Sequence, residues 1–211
     1  MYIMLCVRPD ICFPVGYLGR YQQNPMESHW QSLKRVVRYL KESANAVLAF
    51  RRQDTEPLIG FADADWAADN EDRKSVTGYV FKVFGSTVSW CSKKQTTVAI
   101  SSSESEYVAL SAATAEALWL VGVLEDMKIK DPKTPVTIFE DNRGCIGMAN
   151  NLETKRSKHI DVKHHFIRDH IAAGRIQVKA VGTQEQLADV FTKSLDPGRL
   201  NEMRRNLGLN D

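Results

Sequence analysis

The sequence lacks three features that would narrow its class at once: closely spaced cysteines, long apolar runs and an excess of one charge. Its four cysteines show no C-x-x-C spacing, which favours reduced thiols in an intracellular protein. No stretch approaches the roughly 20 apolar residues of a membrane helix, so no membrane partner is expected. Arg8-Pro9-Asp10 interrupts the opening apolar run, and no signal peptide is predicted.

Net charge and chain length exclude fewer classes of protein, but they limit the binding partners and the number of domains to expect. Lys and Arg total 28 against 26 for Asp and Glu, so the formal charge of +2 does not announce a nucleic-acid-binding protein, and any basic surface must be local. The chain is 43% hydrophobic and 26% charged, as in an ordinary soluble protein. Its 211 residues can bury one good core, which predicts one globular domain with appendages.

The first 45 residues differ in pattern from the rest. Residues 26–42 carry apolar side chains at helical spacing, namely Trp30, Leu33, Val37 and Leu40. Basic side chains occupy the other sides of this helix, namely Lys34, Arg35, Arg38 and Lys41. The pattern predicts a basic amphipathic helix. Packing on a neighbouring surface is the preferred interpretation, and a helix that faces nucleic acid is the alternative.

From Leu58 the pattern predicts a mixed α/β sheet with helices packed on it. An extended run through Asp65 is apolar on both faces until the acids appear, which is typical of a central strand. Residues 78–83 and 87–92 read as a hairpin, and pairing is predicted to continue through residues 97–100. The remaining predicted strands are residues 136–139 and 175–181. The predicted helices are residues 101–127, a helix after residue 142 that ends at about 150, residues 161–173 and a helix from 184 onward, and an apolar segment follows Pro197.

Four acidic residues each stand where a predicted strand or helix begins or ends: Asp63, Glu106, Asp141 and Asp189. Carboxylates that converge from separate elements suit a pair of hard divalent cations, because Mg²⁺ takes oxygen ligands and two such ions act on both oxygens of a phosphodiester displacement. Each acid taken singly is more often structural, and only the whole set indicates a metal site.

Three of these assignments have competitors. Asp65 shares a strand face with Asp63, and Asp141 could instead be the N-cap of the next helix. Glu104 and Glu106 each follow a serine by three residues, in the form of a capping box. Periodicity favours Glu106 as the sheet-facing residue. It continues the apolar stripe of the helix, which comprises Leu110, Ala113, Ala117, Leu120 and Leu124.

Short strings of residues connect these acids in a recognisable order. They are DADWA at 63–67, DRKS at 72–75, TGY at 77–79, SSSESEY at 101–107, EALWL at 116–120, EDN at 140–142, KHID at 158–161 and LADVFTK at 187–193. In this order they resemble the ribonuclease H domain at the C-terminal end of the Pol polyprotein of copia-type retrotransposons. The first segment, residues 8–41, resembles the end of the reverse transcriptase region that precedes this domain.

The resemblance implies an α/β, ribonuclease H-like fold, with a five-stranded mixed sheet flanked by helices and an N-terminal helical appendage. It divides the chain into a reverse transcriptase or connection tail (1–45), a ribonuclease H-like domain (46–195) and a C-terminal helical tail (196–211). By the same resemblance, Asp63, Glu106, Asp141 and Asp189 take the catalytic, metal-binding places and hold two Mg²⁺ ions, for which Mn²⁺ is expected to substitute. Deleting residues 1–45 is expected to leave the fold largely intact.

The implied activity is hydrolysis of the RNA strand of an RNA–DNA hybrid during reverse transcription, in the cytoplasm within virus-like particles. The polymerase part of the same polyprotein is the expected protein partner. Candidate contacts to nucleic acid are Asn142, Arg73, Lys74, Lys93, Lys94, Gln95, Lys155, Arg156 and Lys158. The loop 181–185 lacks the histidine that bacterial-type domains usually carry there. The alternatives are a weak or inactive nucleic-acid-binding remnant, a domesticated fragment, and a related nuclease that acts on DNA.

Overall fold

A five-stranded mixed sheet flanked by helices forms the centre of the computed structural model, which describes residues 1–51, 55–69, 71–129, 134–150 and 161–210. The strands are β1 (Val47–Leu48), β2 (Ile59–Asp65), β3 (Val76–Val83), β4 (Ser86–Lys94), β5 (Val136–Glu140), β6 (Ile176–Ala180) and β7 (Leu209–Asn210). The α-helices are α1 (Tyr2–Cys6), α2 (Cys12–Gly19), α3 (Glu27–Glu42), α4 (Ser102–Asp126), α5 (Arg143–Asn150), α6 (Asp161–Ala172) and α7 (Pro197–Asn206). Short 3-10 turns cover Pro9–Ile11, Thr183–Glu185 and Leu187–Phe191.

The central sheet has the strand order β4-β3-β2-β5-β6. Strand β2 lies in the middle, antiparallel to β3 on one side and parallel to β5 on the other, and β6 continues the parallel half. This is the ribonuclease H-like architecture that the resemblance implied, and the predicted fold class is confirmed. A separate two-stranded ladder joins β1 to β7.

The β3–β4 hairpin follows from its turn residues. Phe84 and Gly85 both have positive φ, 47° and 84°, as a two-residue turn between twisted strands requires. The prediction that pairing continues through residues 97–100 is wrong. Strand β3 begins at Val76, opposite Lys94, so the chain beyond β4 has no further residue of β3 to pair with and instead forms the loop that leads to α4.

Two hydrophobic clusters cover the two faces of the sheet. Strand β3 contributes to both clusters, because its alternate residues point to opposite sides. Phe81 packs into the cluster beneath α4, and its neighbour Val80 into the other. The predicted stripe of α4 is buried in the first cluster, with Leu110, Ala113, Ala117, Leu120 and Leu124 all less than a tenth exposed. The second cluster contains Cys12, Val80, Leu187, Val190, Phe191, Met203 and Leu207.

Among the described residues, α4 is the one helix whose length and composition would let it cross a membrane, although the sequence was expected to contain no such stretch. Half of its most apolar 18-residue window is buried inside the protein. The core helix of a globular domain passes the same criterion, so α4 gives only a weak indication of a membrane.

The predicted helix from residue 184 is instead a pair of short 3-10 turns separated by Gln186. The backbone of Gln186 is extended, and its side chain explains why. Its Nε2 donates to the carbonyl of Ala62 in β2 (2.8 Å), while its Oε1 accepts from the N–H of Ala188 (3.2 Å). A buried amide that bonds both to the sheet and to its own turn fixes residues 187–191 against β2 without a regular helix.

The N-terminal segment packs on the domain rather than beside it. Cys12 in α2 is buried in the second cluster, and Trp90 of β4 donates its indole N–H to the carbonyl of Met4 (2.8 Å). Arg8 makes a bidentate pair with buried Asp10 at 2.9 and 2.8 Å. The domain boundary at residue 45 stays a prediction, but these contacts reverse the expectation for truncation.

Deleting residues 1–45 should therefore destabilise the domain by roughly 3 kcal/mol or more, a large part of the about 5–15 kcal/mol typical of a native protein. The reason is that the deletion exposes one side of the second cluster. Urea and thermal unfolding of residues 46–211 and of the full chain measure this difference. A matched pair of point variants isolates the polar part: Asp10→Asn should lower the melting temperature, whereas Glu42→Gln on exposed α3 should not. Equal unfolding of truncated and full chains would contradict the packing argument.

Candidate active site

Three carboxylates converge at one edge of the central sheet. Strands β2 and β5 run parallel with Phe61 beside Phe139, so residues two positions further, Asp63 and Asp141, come next to one another. Helix α4 packs on β2 and brings Glu106 to the same place. One oxygen from each of these three acids lies within 4.8 Å of the others.

The hydrogen bonds distinguish Glu106 from its competitor Glu104. Helix α4 begins with Ser101 as N-cap, whose Oγ accepts from the N–H of Glu104 (3.2 Å). The carboxylate of Glu104 in turn accepts from the N–H of Ile100 (2.9 Å), so Glu104 serves the helix terminus. Glu106 makes no such capping hydrogen bond. Its Oε2 is buried and has no hydrogen-bond partner among the described residues.

Asp141 is likewise free of the capping role that the sequence left open. Helix α5 begins at Arg143, and the side chain of Asn142 caps it: its Oδ1 accepts from the N–H of Cys145 (2.9 Å) and from the hydroxyl of Ser103 (3.0 Å). The capping alternative for Asp141 is therefore wrong. Asn142 ties the start of α5 to the start of α4, and its predicted contact with nucleic acid stays a prediction.

Asp189 lies nearby but outside the three-carboxylate group. Its Oδ1 is 2.7 Å from the Nζ of Lys193, and its Oδ2 is 2.8 Å from a guanidinium nitrogen of Arg199. Lys193 also approaches Asp63 (3.7 Å to Oδ2), and the hydroxyl of Thr192 donates to the same Asp63 oxygen. The assignment of Asp189 to a metal stays a prediction.

Gly78 lets this turn reach the sheet. It is the β3 partner of Asp63, and a Cβ at this position would lie 2.6 Å from the Cγ2 of Thr192 and 2.9 Å from the Cβ of Phe191. No side chain fits that space. The absence of one at Gly78 allows Thr192 and Asp189 to approach Asp63.

The electrostatics of the group follow from burial of like charges. Burial raises the pKa of Glu106 to about 11, and the neighbouring carboxylates, first Glu140 and then Asp63 and Asp141, add to the shift. Burial also raises the pKa of Asp63 to about 7, against the attraction of Lys193. Without a cation, Glu106 therefore holds a proton at neutral pH, and Asp63 is about half protonated.

Glu140 is the site residue that the sequence analysis missed. It ends β5, is fully buried, and accepts from the N–H of Asn142 (3.1 Å), with the thiol of Cys145 as a further hydrogen-bond partner. Burial raises its pKa well above the ordinary value. Alternation along β5 places it opposite Asp141. A signal was available, since the last residue of a parallel strand covered on both faces is buried whichever way it points.

This donor set suits a hard divalent cation. It offers oxygen atoms only, from β2, from α4 and from the residue that follows β5, and one of them, Glu106 Oε2, is buried with no hydrogen-bond partner among the described residues. An unpaired buried carboxylate oxygen needs a cation or a proton. Mg²⁺ and Mn²⁺ both prefer such oxygen ligands. Asp65 is half-buried at the end of β2 and does not belong to the group.

The predicted nucleic-acid contacts fall into distinct environments. Arg73 and Lys93 are exposed and available. Lys94 is paired with Asp69 (2.5 Å). Gln95 does not fit the prediction of an exposed contact: it is buried, and its Nε2 donates to Thr77 and to the carbonyl of Ser105. Lys74 pairs with Asp72 at 3.2 Å, and the predicted contacts Lys155, Arg156 and Lys158 lie outside the described residues.

The chain is similar to transposon polyproteins over nearly its whole length. It is 35% identical over 211 residues to the retrovirus-related Pol polyprotein from transposon TNT 1-94 of Nicotiana tabacum, and 36% identical over 203 residues to that from transposon RE2 of Arabidopsis thaliana. The alignments cover 99% and 96% of this chain but only 16% and 14% of those polyproteins. Secreted RxLR effector protein 161 of Plasmopara viticola is 53% identical over 120 residues, which are 57% of this chain and 84% of that protein. No protein-family model matches.

Solved structures with a similar arrangement are more distant. RNase H1 from the halophilic archaeon Halobacterium salinarum NRC-1 has a TM-score of 0.48 and 14% identity, over 64% of this chain and 93% of that one. LC11-RNase H1 in complex with RNA/DNA hybrid has a TM-score of 0.47 and 17% identity, over 64% of this chain and 93% of that one. Likenesses at this distance bear on neither the activity nor the substrate of the chain.

The raised pKa values predict an unusual dependence of stability on pH in metal-free protein. A carboxyl group in an unfolded chain titrates near about 4, so the stability that protonated Asp63 contributes is fully present below that pH and is lost as pH rises through about 7. Asp63→Asn keeps the neutral form. At pH 8 with a chelator, this variant should be more stable than wild type by about 1–4 kcal/mol.

Urea unfolding at pH 8 and at pH 4 measures this difference. The two proteins should nearly converge at the lower pH, where Asp63 is protonated in the folded wild type and about half protonated in its unfolded state. Added Mg²⁺ at pH 8 should stabilise the wild type and leave the variant nearly unchanged. A wild type that is more stable than Asp63→Asn at pH 8 without metal would contradict this account of the site.

Proposed function

The chain belongs to the family of copia-type transposon Pol polyproteins, and from this premise we propose that it is a divalent-metal-dependent endoribonuclease that cleaves the RNA strand of RNA–DNA hybrids. It spans only about a sixth of the length of those relatives, so its place in reverse transcription is part of the proposal, as are the cytoplasm as its location and the polymerase region as its partner.

One observation carries the proposal: Asp63, Glu106 and Asp141 converge from β2, α4 and the end of β5, although each is costly to place near the others. A purely structural role does not explain the arrangement, because Glu104 and Asn142 make the helix-capping hydrogen bonds at this place. Groups of buried acids whose charge is uncompensated occur where a cation or a substrate completes them.

Asp63, Glu106 and Asp141 would hold the first cation, and Asp63 with Asp189 would contribute to a second. When bound, the ions would activate a water and stabilise the leaving 3′-oxygen, which gives 5′-phosphate and 3′-hydroxyl ends. The residues themselves supply placement: parallel strands hold Asp63 and Asp141 at fixed separation, and Thr192 orients the carboxylate of Asp63.

The proposed binding surface for the substrate is a cleft with three lysines in its lining. It measures about 580 Å³ and lies between the β3–β4 hairpin and helices α4 and α6. Lys93, Lys94 and Lys163 line it together with apolar and hydroxyl side chains. Lysines of this kind bind phosphates without reading sequence, whereas selection of an RNA strand depends on its 2′-hydroxyl groups.

Removal of single carboxylates tests the metal centre. Asp63→Asn and Asp141→Asn should each abolish Mg²⁺-dependent cleavage of a labelled RNA–DNA hybrid, because each removes charge from the same cation site. Glu106→Gln should lower the rate at least about 100-fold, whereas Glu104→Gln, the same change two residues earlier, should cost stability and little activity. Wild-type rates in a folded Asp63→Asn or Glu106→Gln protein would reject the assignment, and the reverse order of the two glutamates would reject the choice between them.

Cleavage of matched duplexes tests the substrate class. A hybrid and a double-stranded DNA of one sequence, incubated with Mg²⁺ or with Mn²⁺, should differ, with the RNA strand of the hybrid cut and the DNA duplex left intact. Equal cleavage of both duplexes would favour a DNA nuclease. Binding of the hybrid without cleavage under either metal would favour the inactive remnant.

A further inference from the structure

Lys193 places a positive charge between two carboxylates of the site. Its Nζ lies 2.7 Å from Asp189 Oδ1 and 3.7 Å from Asp63 Oδ2. The two carboxylates are 3% exposed, whereas the lysine side chain is 36% exposed and reaches inward from the surface. The ammonium group can therefore leave this position by a change of rotamer, while the acids cannot.

A second cation holds Asp189 from its other side. Arg199 Nη2 lies 2.8 Å from Asp189 Oδ2 and also donates to the carbonyl of Thr183 (2.6 Å), while its Nη1 donates to the carbonyl of Gln184 (3.1 Å). These bonds to the preceding turn fix Arg199 in place. Asp189 thus has a permanent cationic partner in Arg199 and an exchangeable one in Lys193.

The charges make the two halves of the site unequal. Carboxylate oxygens of Asp63, Glu106 and Asp141 lie within 4.8 Å of one another, and Glu106 Oε2 has no hydrogen-bond partner among the described residues. A first divalent cation meets three carboxyl groups there and Lys193 only through Asp63. A second cation between Asp63 and Asp189 meets the ammonium of Lys193 at the same two carboxylates. Repulsion between cations a few ångströms apart is strong in a partly buried site.

We propose that Lys193 is a positioning residue that occupies the place of the second cation while no substrate is bound. Its ammonium group orients the carboxylates of Asp63 and Asp189 and excludes solvent cations from them. When a phosphate group of the substrate offers the ammonium another partner, the lysine side chain moves away. The two cations consequently bind with unequal affinity, the first at Asp63, Glu106 and Asp141 and the second only against Lys193. This inference rests on the proposed metal-dependent function.

Titration of the substrate-free chain with Mn²⁺, followed by calorimetry and by the electron paramagnetic resonance signal of free Mn²⁺, tests the inference without any measurement of activity. Wild type should bind one Mn²⁺ at least about tenfold more tightly than a second. Lys193→Met should tighten the second event about tenfold or more and change the first less. Lys193→Arg, which keeps the charge, should stay close to wild type.

A matched control separates local from overall charge. Lys41→Met removes a lysine from exposed α3 and should leave both binding events unchanged. Second-site affinity that changes less than about twofold in Lys193→Met, or an equal gain in Lys41→Met, would overturn the role of Lys193 alone. If the wild type binds no Mn²⁺, or if Asp63→Asn binds Mn²⁺ as tightly as the wild type does, the metal site would be overturned, and the proposed function with it. Melting curves of each variant confirm that the folded protein is being titrated.

Discussion

The parallel pairing of β2 with β5 is the constraint on which the rest of the site depends. A parallel register aligns the carboxyl ends of neighbouring strands, so Asp63 and Asp141 become neighbours once Phe61 lies beside Phe139. Everything else is arranged around that pair. Helix α4 crosses β2 and contributes Glu106, and the hairpin partner β3 offers Gly78 where the turn of residues 187–191 must approach.

This arrangement concentrates negative charge where the sheet excludes water. A buried carboxyl group without a cation either takes up a proton or stays ionised, and each ionised group opposes folding by several kcal/mol. The domain tolerates this cost because two large clusters of apolar side chains cover both faces of the same sheet. The carboxylates of the site thus lower the stability of the domain, as expected when a charged ligand completes them.

The sequence was informative where local pattern decides structure. The apolar stripe of α4, the hairpin and the alternation of strands and helices in the second half were predicted, and so was the group of Asp63, Glu106 and Asp141 as candidates. Prediction failed where a distant side chain overrides local pattern. Gln186 turns an expected helix into 3-10 turns by bonding to Ala62, a contact across 124 positions that no local pattern contains.

The bond between Thr192 and Asp63 joins residues 129 positions apart, and this separation orders the events of folding. During synthesis the N-terminal part of a chain emerges first, and contacts between distant positions form slowly. Residues 59–141 can place three acids before residue 192 exists outside the ribosome. The turn that orients Asp63 and supplies Asp189 arrives last, after β6, so the nascent domain can pair β2 with β5 before it acquires a finished centre.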